Sequence, residues 1–292
     1  VGRSPQEGSS TIETSLTFRW FGVAGVAIAA HGETLAIDPF FTRPSYSRFL
    51  FGRPLPDPIL AARLLPHCDY VFVSHAHWDH VMDVPVVARM TGAVAHGSPN
   101  TCRLLEMHDV PDRQIRLVDP GDRLTLGPFK VEVLPGDHGW VPVLPSAGEL
   151  ASDLRPPLRL REYRMDSCFS FLVEVDGYRF LMQPGPPVRA DLLFVVPAML
   201  GTAYYAGLLQ SVRPAVVVPI HWDNLFHPLT RPLRETPPPL SMRLTQLRGL
   251  VACPVPRARF LVPGSSYPSS LALTACRSCS LQEDPLLGNS HN

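Results

Sequence analysis

The sequence predicts an α/β fold in which buried sheets are covered by helices, and three observations carry that prediction. Apolar runs of strand length, such as Tyr70-Val71-Phe72-Val73, Asp191 to Val196 and Ala215 to Ile220, alternate with helix-compatible runs. Hydrophobic residues make up 45% of the 292 and charged residues 18%, enough for a sizeable core. Titratable residues collect where apolar runs end, above all in Ser74-His75-Ala76-His77-Trp78-Asp79-His80. The ends of strands are where α/β sheets build their sites.

Taken in order, residues 1–15 are polar and rich in Ser, Thr and Gly, which predicts a flexible terminus. Thr17 to Phe21 alternates like a strand, Val23 to Ala30 is an apolar run, and His31-Gly32-Glu33 turns into a strand at 34–37 that ends in Asp38-Pro39. Residues 40–58 are rich in Phe, Tyr, Pro and Arg, with Phe49-Leu50-Phe51 as an apolar cluster, and a short helix at 60–65 stops before Pro66. The strand at 70–73 and the His-rich stretch lead into a helix predicted over 80–90. A strand at 93–95 precedes a helix at 99–108, with Ser98 as its cap and Pro99 in its first turn. Strands follow near 115–118, 122–126 and 129–134. Pro135 to Met165 is irregular, and 168–175 with 178–182 form a hairpin around Asp176-Gly177. A strand at 191–196, a helix at 203–212, a strand at 215–220, a helix near 240–252 and a strand at 259–262 complete one domain over 16–264. Residues 265–292 read as a weakly ordered tail.

Composition narrows the function. Lys plus Arg and Asp plus Glu are both 26, so the net charge is zero and no broad nucleic-acid surface is expected. Neither a glycine-rich phosphate loop nor a Gly-x-Ser-x-Gly nucleophile elbow is present. The six cysteines make no dense disulfide framework, and Cys276-x-x-Cys279 stands without a second pair. The longest apolar run, Phe21 to Ala30, is too short for a transmembrane helix. A cytoplasmic location is favoured, although a start at Val1 is compatible with a removed leader. Oligomeric state leaves no mark on the sequence.

Three imidazoles and a carboxylate within six residues form a donor set that suits zinc, and also iron or manganese. His138 alone reads as a loop histidine and His221 alone as a strand-end residue. Together with Asp38 and the 75–80 stretch, all following strands, they read as one converging site. His96 is read as structural, and His31, His67, His108, His227 and His291 as solvated or packing residues.

The pattern His75-x-His77-x-Asp79-His80, with Asp38-Pro39 before it and His138 and His221 after it, resembles the metallo-β-lactamase-fold metallohydrolase superfamily over roughly Leu16 to Gly264. Trp20-Phe21-Gly22 and Ile220-His221-Trp222-Asp223-Asn224 are similar to the branch containing lactonases and N-acylphosphatidylethanolamine phospholipase D-like enzymes. The resemblance implies a four-layer αββα sandwich. It implies that His75, His77 and His138 hold one metal ion and that Asp79, His80 and His221 hold a second, with zinc expected and iron or manganese compatible. It further implies hydrolysis by metal-bound hydroxide, a catalytic Asp79 that orients it, and Asp38 fixing an imidazole from behind. The bond cleaved would be an ester, lactone or phosphodiester.

One position departs from that pattern. The superfamily usually places a metal-bridging Asp after the strand that here ends Leu181-Met182-Gln183-Pro184-Gly185. Its loss removes a negative charge between two repelling cations, so one ion held by three histidines fits the sequence as well as two. It also opens a second function, a non-catalytic metal- or ligand-binding protein, and the resemblance, whose fold also hosts non-hydrolytic members, admits an iron-dependent redox protein as a third. Trp140 and Trp222, near His138 and His221, read as pocket walls, with Phe41, Tyr46, Phe49 and Phe51 at the mouth and Tyr204 within reach. These aromatics predict a partly apolar small-molecule substrate. Arg164 and Asp166, at the end of the proline-rich segment, are further candidates for substrate contact.

Overall fold

A computed structural model describes residues 16–138, 147–198, 201–238, 241–252 and 258–262, together with strands at 269–274 and 282–283. Strands β1 (Leu16–Gly22), β2 (Gly25–Ala30) and β3 (Glu33–Ile37) form an antiparallel meander with Phe18 opposite Ile28 and Ile28 opposite Leu35. Strands β4 (Tyr70–Phe72), β5 (Val94–Gly97) and β6 (Ile115–Leu117) extend it in parallel. The second sheet starts with β7 (Arg123–Leu126), β8 (Phe129–Pro135), β9 (Phe169–Val175) and β10 (Tyr178–Met182), all antiparallel. It continues in parallel with β11 (Leu192–Val195), β12 (Val216–Pro219) and β13 (Arg259–Phe260). Strand β14 (Ser269–Thr274) pairs with β1 and β15 (Gln282–Glu283) with β14, inside the segment expected to be a tail.

The two sheets face each other. Phe18 meets Phe194 edge to face at 5.4 Å between centroids, and Phe72 meets Phe171 at 5.3 Å. Alternation along the parallel strands divides the core. Leu192, Phe194, Val216 and Val218 join the large inter-sheet cluster, while Leu193, Val195 and Val217 join a second one with α6 (Thr202–Val212) and α7 (Leu244–Ala252). Helices α2 (Pro58–Leu64), α4 (Val84–Thr91) and α5 (Pro99–Met107) contribute to the core from the first sheet's side. The result is the four-layer α/β/β/α arrangement that was expected, and among the described residues no helix is long and apolar enough to cross a membrane.

Two helices differ from the sequence reading. The predicted 80–90 helix is split into α3 (Trp78–Val81) and α4. Pro85 has no N–H to continue the ladder, and the Asp83 carboxylate between the helices accepts N–H bonds from Phe41 and Thr42. Helix α1 (Tyr46–Phe51) lies in the 40–58 stretch, to which the sequence reading assigns no element, and Ser45 caps it by accepting from the Arg48 N–H. Ser98 caps α5 with Pro99 at its start, as the sequence predicts.

Candidate metal centre

Each candidate ligand leaves a strand at the same edge of the sandwich. Asp38 follows β3, the 74–80 stretch joins β4 to α3, His138 follows β8 and His221 follows β12, so both sheets contribute. The structure brings six side chains into two groups. His75, His77 and His138 form one and Asp79, His80 and His221 the other, with ligand atoms within 4.8 Å of one another in each. The groups adjoin, since the His75 and His80 rings lie 3.9 Å apart between centroids.

Local backbone geometry makes the convergence possible. Val73 donates to the His96 carbonyl and Phe169 to the Ser74 carbonyl, which tie the end of β4 to both sheets. His77 is extended (ψ 152°) and opens α3, which carries Asp79 and His80. Asp38 and His221 both adopt left-handed backbone, φ 46° and 56°. For residues other than glycine this costs on the order of 1–3 kcal/mol and persists where surrounding bonds hold it. Asp38 N–H donates to the Phe72 carbonyl at 2.9 Å, and His221 N–H to the Val23 carbonyl at 2.6 Å.

Hydrogen bonds set the imidazole tautomers. His80 Nδ1 donates to Asp38 Oδ2 at 2.8 Å, and Ser74 Oγ donates to the same oxygen at 2.5 Å. His75 Nδ1 lies 3.0 Å from Ser74 Oγ and donates to it. In their neutral forms both rings therefore keep Nε2 as a lone pair facing the centre. His75 Nε2 is buried and has no hydrogen-bond partner among the described residues. A buried acceptor without a donor is costly in a packed protein, and a cation would satisfy it. The residues thus fit a metal ion.

Charge points the same way. Burial, aided by the His80, His77 and His138 rings, holds the His75 pKa well below its ordinary value, so this ring is neutral, as a ligand must be. Burial alone would raise the Asp79 pKa, but His80 and His221 hold it well below the usual carboxylate range. Asp79 Oδ2 lies 3.3 Å from His221 Nε2 and 3.6 Å from His80 Nε2. Burial opposes charge on His80, yet Asp38 and Asp79 overcome it and raise its pKa. A proton and a metal ion therefore compete for that ring.

The remaining candidates are placed differently. Gln183 is buried, its Oε1 accepts from the Gly185 N–H at 2.7 Å, and its amide nitrogen reaches the Pro186 carbonyl, so it braces its own turn. Trp222 is buried and stacked on Trp20 at 5.4 Å, which makes it core packing behind His221 rather than an open wall. Phe41 is likewise fully buried against Phe21. Phe49 packs on Trp78 and Phe226, Tyr46 on Phe226, and Phe51 is exposed. Tyr204 is partly exposed, with its phenol pKa raised by burial and by Asp137, the neighbour of His138. Trp140 lies outside the described residues. Asp166 accepts from Ser98 Oγ and the Asn100 N–H, and the Arg164 carbonyl accepts from Asn100, so both serve the start of α5. Sequence reasoning missed Ser74, whose place directly before the motif was its one visible signal.

The family model described as the beta-lactamase superfamily domain matches residues 33–185. A stretch of 91 residues is 38% identical to a UPF0173 metal-dependent hydrolase of Anaeromyxobacter dehalogenans (strain 2CP-C), covering 31% of this chain and 29% of that one, well under two thirds of the relative's length. Over 266 residues the chain is 24% identical to a UPF0173 metal-dependent hydrolase of Archaeoglobus fulgidus, covering 85% and 96%. Igni18, a metallo hydrolase from Ignicoccus hospitalis, superimposes with a TM-score of 0.59 at 17% identity, covering 88% of this chain and 98% of that one, a likeness of fold. The family match runs from β3 to the turn after β10, more than half of the chain, and this protein belongs to the family of the beta-lactamase superfamily domain.

Proposed function

We propose that the protein is a metal-dependent hydrolase acting on an ester, lactone or phosphodiester bond in a partly apolar small molecule. The observation that carries this reading is the pair of adjoining three-residue groups, one with an orphaned imidazole nitrogen. His75, His77 and His138 would hold one cation, and Asp79, His80 and His221 a second. The nitrogen and carboxylate donors favour zinc, with iron or manganese compatible. When bound, such ions lower the pKa of a water and polarise a substrate oxygen.

The chain's own groups supply the rest. Asp79, held ionised beside His80 and His221, accepts a hydrogen bond from the attacking water and aims it. Asp38 and Ser74 keep His75 and His80 from rotating. Phe49, Phe226 and the exposed Tyr46 pack as an aromatic cluster over the buried Trp78, which lies between His77 and Asp79, and their partly exposed rings would meet a partly apolar substrate.

His77→Ala should abolish both metal retention and turnover of the responsive substrate in a panel of esters, lactones and phosphodiesters. Undiminished turnover by a metal-free His77→Ala protein would sink the reading. Gln183, in place of a bridging carboxylate, favours a second reading as a non-catalytic metal-binding protein. Full metal occupancy, found by elemental analysis, without turnover of any panel member would select it.

A further inference from the structure

We propose that Arg43 and Asp223 form a positioning pair that sets the geometry of the second group, Asp79, His80 and His221; the inference rests on the metal-centre reading above. Their side chains are 2% and 1% exposed, and Arg43 Nη2 lies 2.8 Å from Asp223 Oδ2. Desolvation of a buried ion pair offsets most of its attraction, so the pair calls for a geometric reason rather than a stabilising one.

The hydrogen bonds around it supply that reason. Asp223 Oδ1 accepts from the Val23 N–H at 2.8 Å, and the Val23 carbonyl accepts from the His221 N–H at 2.6 Å and from Trp20 Nε1 at 2.9 Å. Arg43 Nη1 donates to the Asn224 carbonyl at 3.2 Å. The turn that presents His221 is thus held on both sides. His221 and Val23 both have left-handed backbone, φ 56° and 49°, which is rare for non-glycine residues and rarest for a β-branched one. Gly22 shares the device: its φ is 92°, and a Cβ there would collide with Arg43 Nη2 and Asp223 Oδ2.

Arg43 also lies five residues beyond Asp38, which holds His80. Between them, Asp83 Oδ2 accepts from the Phe41 and Thr42 N–H groups, and Thr42 Oγ1 donates to Asp83 Oδ1. One pinned stretch, 38–43, therefore reaches His80 at one end and, through Asp223, His221 at the other. These are two of the three residues in the second group. Gln183 is committed to its own turn, so no carboxylate from that position helps to hold a cation there. The second group depends on its own three side chains and on the backbone beneath His221.

The test is a cobalt titration of metal-stripped protein, with equivalents, affinities and visible spectra recorded and folding checked by thermal unfolding. His221→Ala provides the benchmark for a lost second-group ligand. Wild type should take two equivalents. Arg43→Met should weaken the second about 10–100-fold and alter its absorption while leaving the first unchanged. Arg43→Lys, which restores the charge, should fall between. Equal weakening of both equivalents in a folded Arg43→Met protein, or no weakening of either, overturns the pair's role. If Arg43→Met does not fold, Asp223→Asn is held to the same criteria. A wild type that binds fewer than two equivalents overturns the two-cation reading itself, and this inference with it, before any variant is measured.

Discussion

His96 shows how much one buried imidazole depends on its surroundings. Its ring stacks on Phe72, 4.5 Å between centroids and 7° from parallel, and Nδ1 reaches the Val71 carbonyl at 3.2 Å. Burial pushes its pKa from 6.5 down to about 4, although those backbone contacts oppose the shift. The folded value lies below the unfolded one, so the neutral ring's contribution is present above pH 6.5 and drains away as pH falls toward 4. Fully expressed, the difference amounts to about 3 kcal/mol. His96→Gln should therefore lose less stability than wild type between pH 7 and pH 4.5 in urea unfolding, and equal losses would place the acid sensitivity elsewhere. His96 could be read as structural because the family pattern offers it no counterpart. His75, His77, Asp79 and His80 were legible for the opposite reason, since proximity in sequence forces proximity in space. Arg43 and Asp223 were not, because an arginine in a proline-rich loop reads as solvated until the fold buries it against a partner far along the chain.

Helix α5 owes its start to a residue far along the chain. Its orphan N–H groups are satisfied from a distance, with Asp166 accepting from Asn100 N–H at 2.8 Å and from Ser98 Oγ at 2.6 Å. Asp166→Ala should cost about 1–2 kcal/mol of stability by denaturant titration and leave metal content unchanged. A loss of metal without a loss of stability would return Asp166 to the substrate side of the ledger. Strand ends and the Ser98-Pro99 start were readable from periodicity and capping chemistry. The split between α3 and α4 was not, because Asp83 and Pro85 interrupt an apolar period that otherwise continues. Helix α1 was hidden because it is only six residues long and none of them is fully buried, too little to show an apolar period.

On the scale of the molecule, the centre joins two sheets whose ligands arrive from different strands. A bound cation stabilises the folded state by mass action, about 2.7 kcal/mol at a hundredfold excess over its dissociation constant. Treatment with a chelator should accordingly lower the melting temperature, and His77→Ala should show a smaller drop; an identical drop in both would place the chelated ion elsewhere. The sandwich was foreseeable because apolar strands alternate with helices, whereas the pairing of Ser269–Thr274 with β1 joins opposite ends of the chain and leaves no local trace. Ligand order along the polypeptide also has a consequence for biosynthesis. Synthesis delivers the N-terminal part first, so a growing chain owns every residue of the histidine trio once His138 has emerged. The other trio must wait for His221, and until then Asp79 and His80 stand ready without their partner. On the proposed two-cation reading, the chain therefore completes the donors of the first group before those of the second.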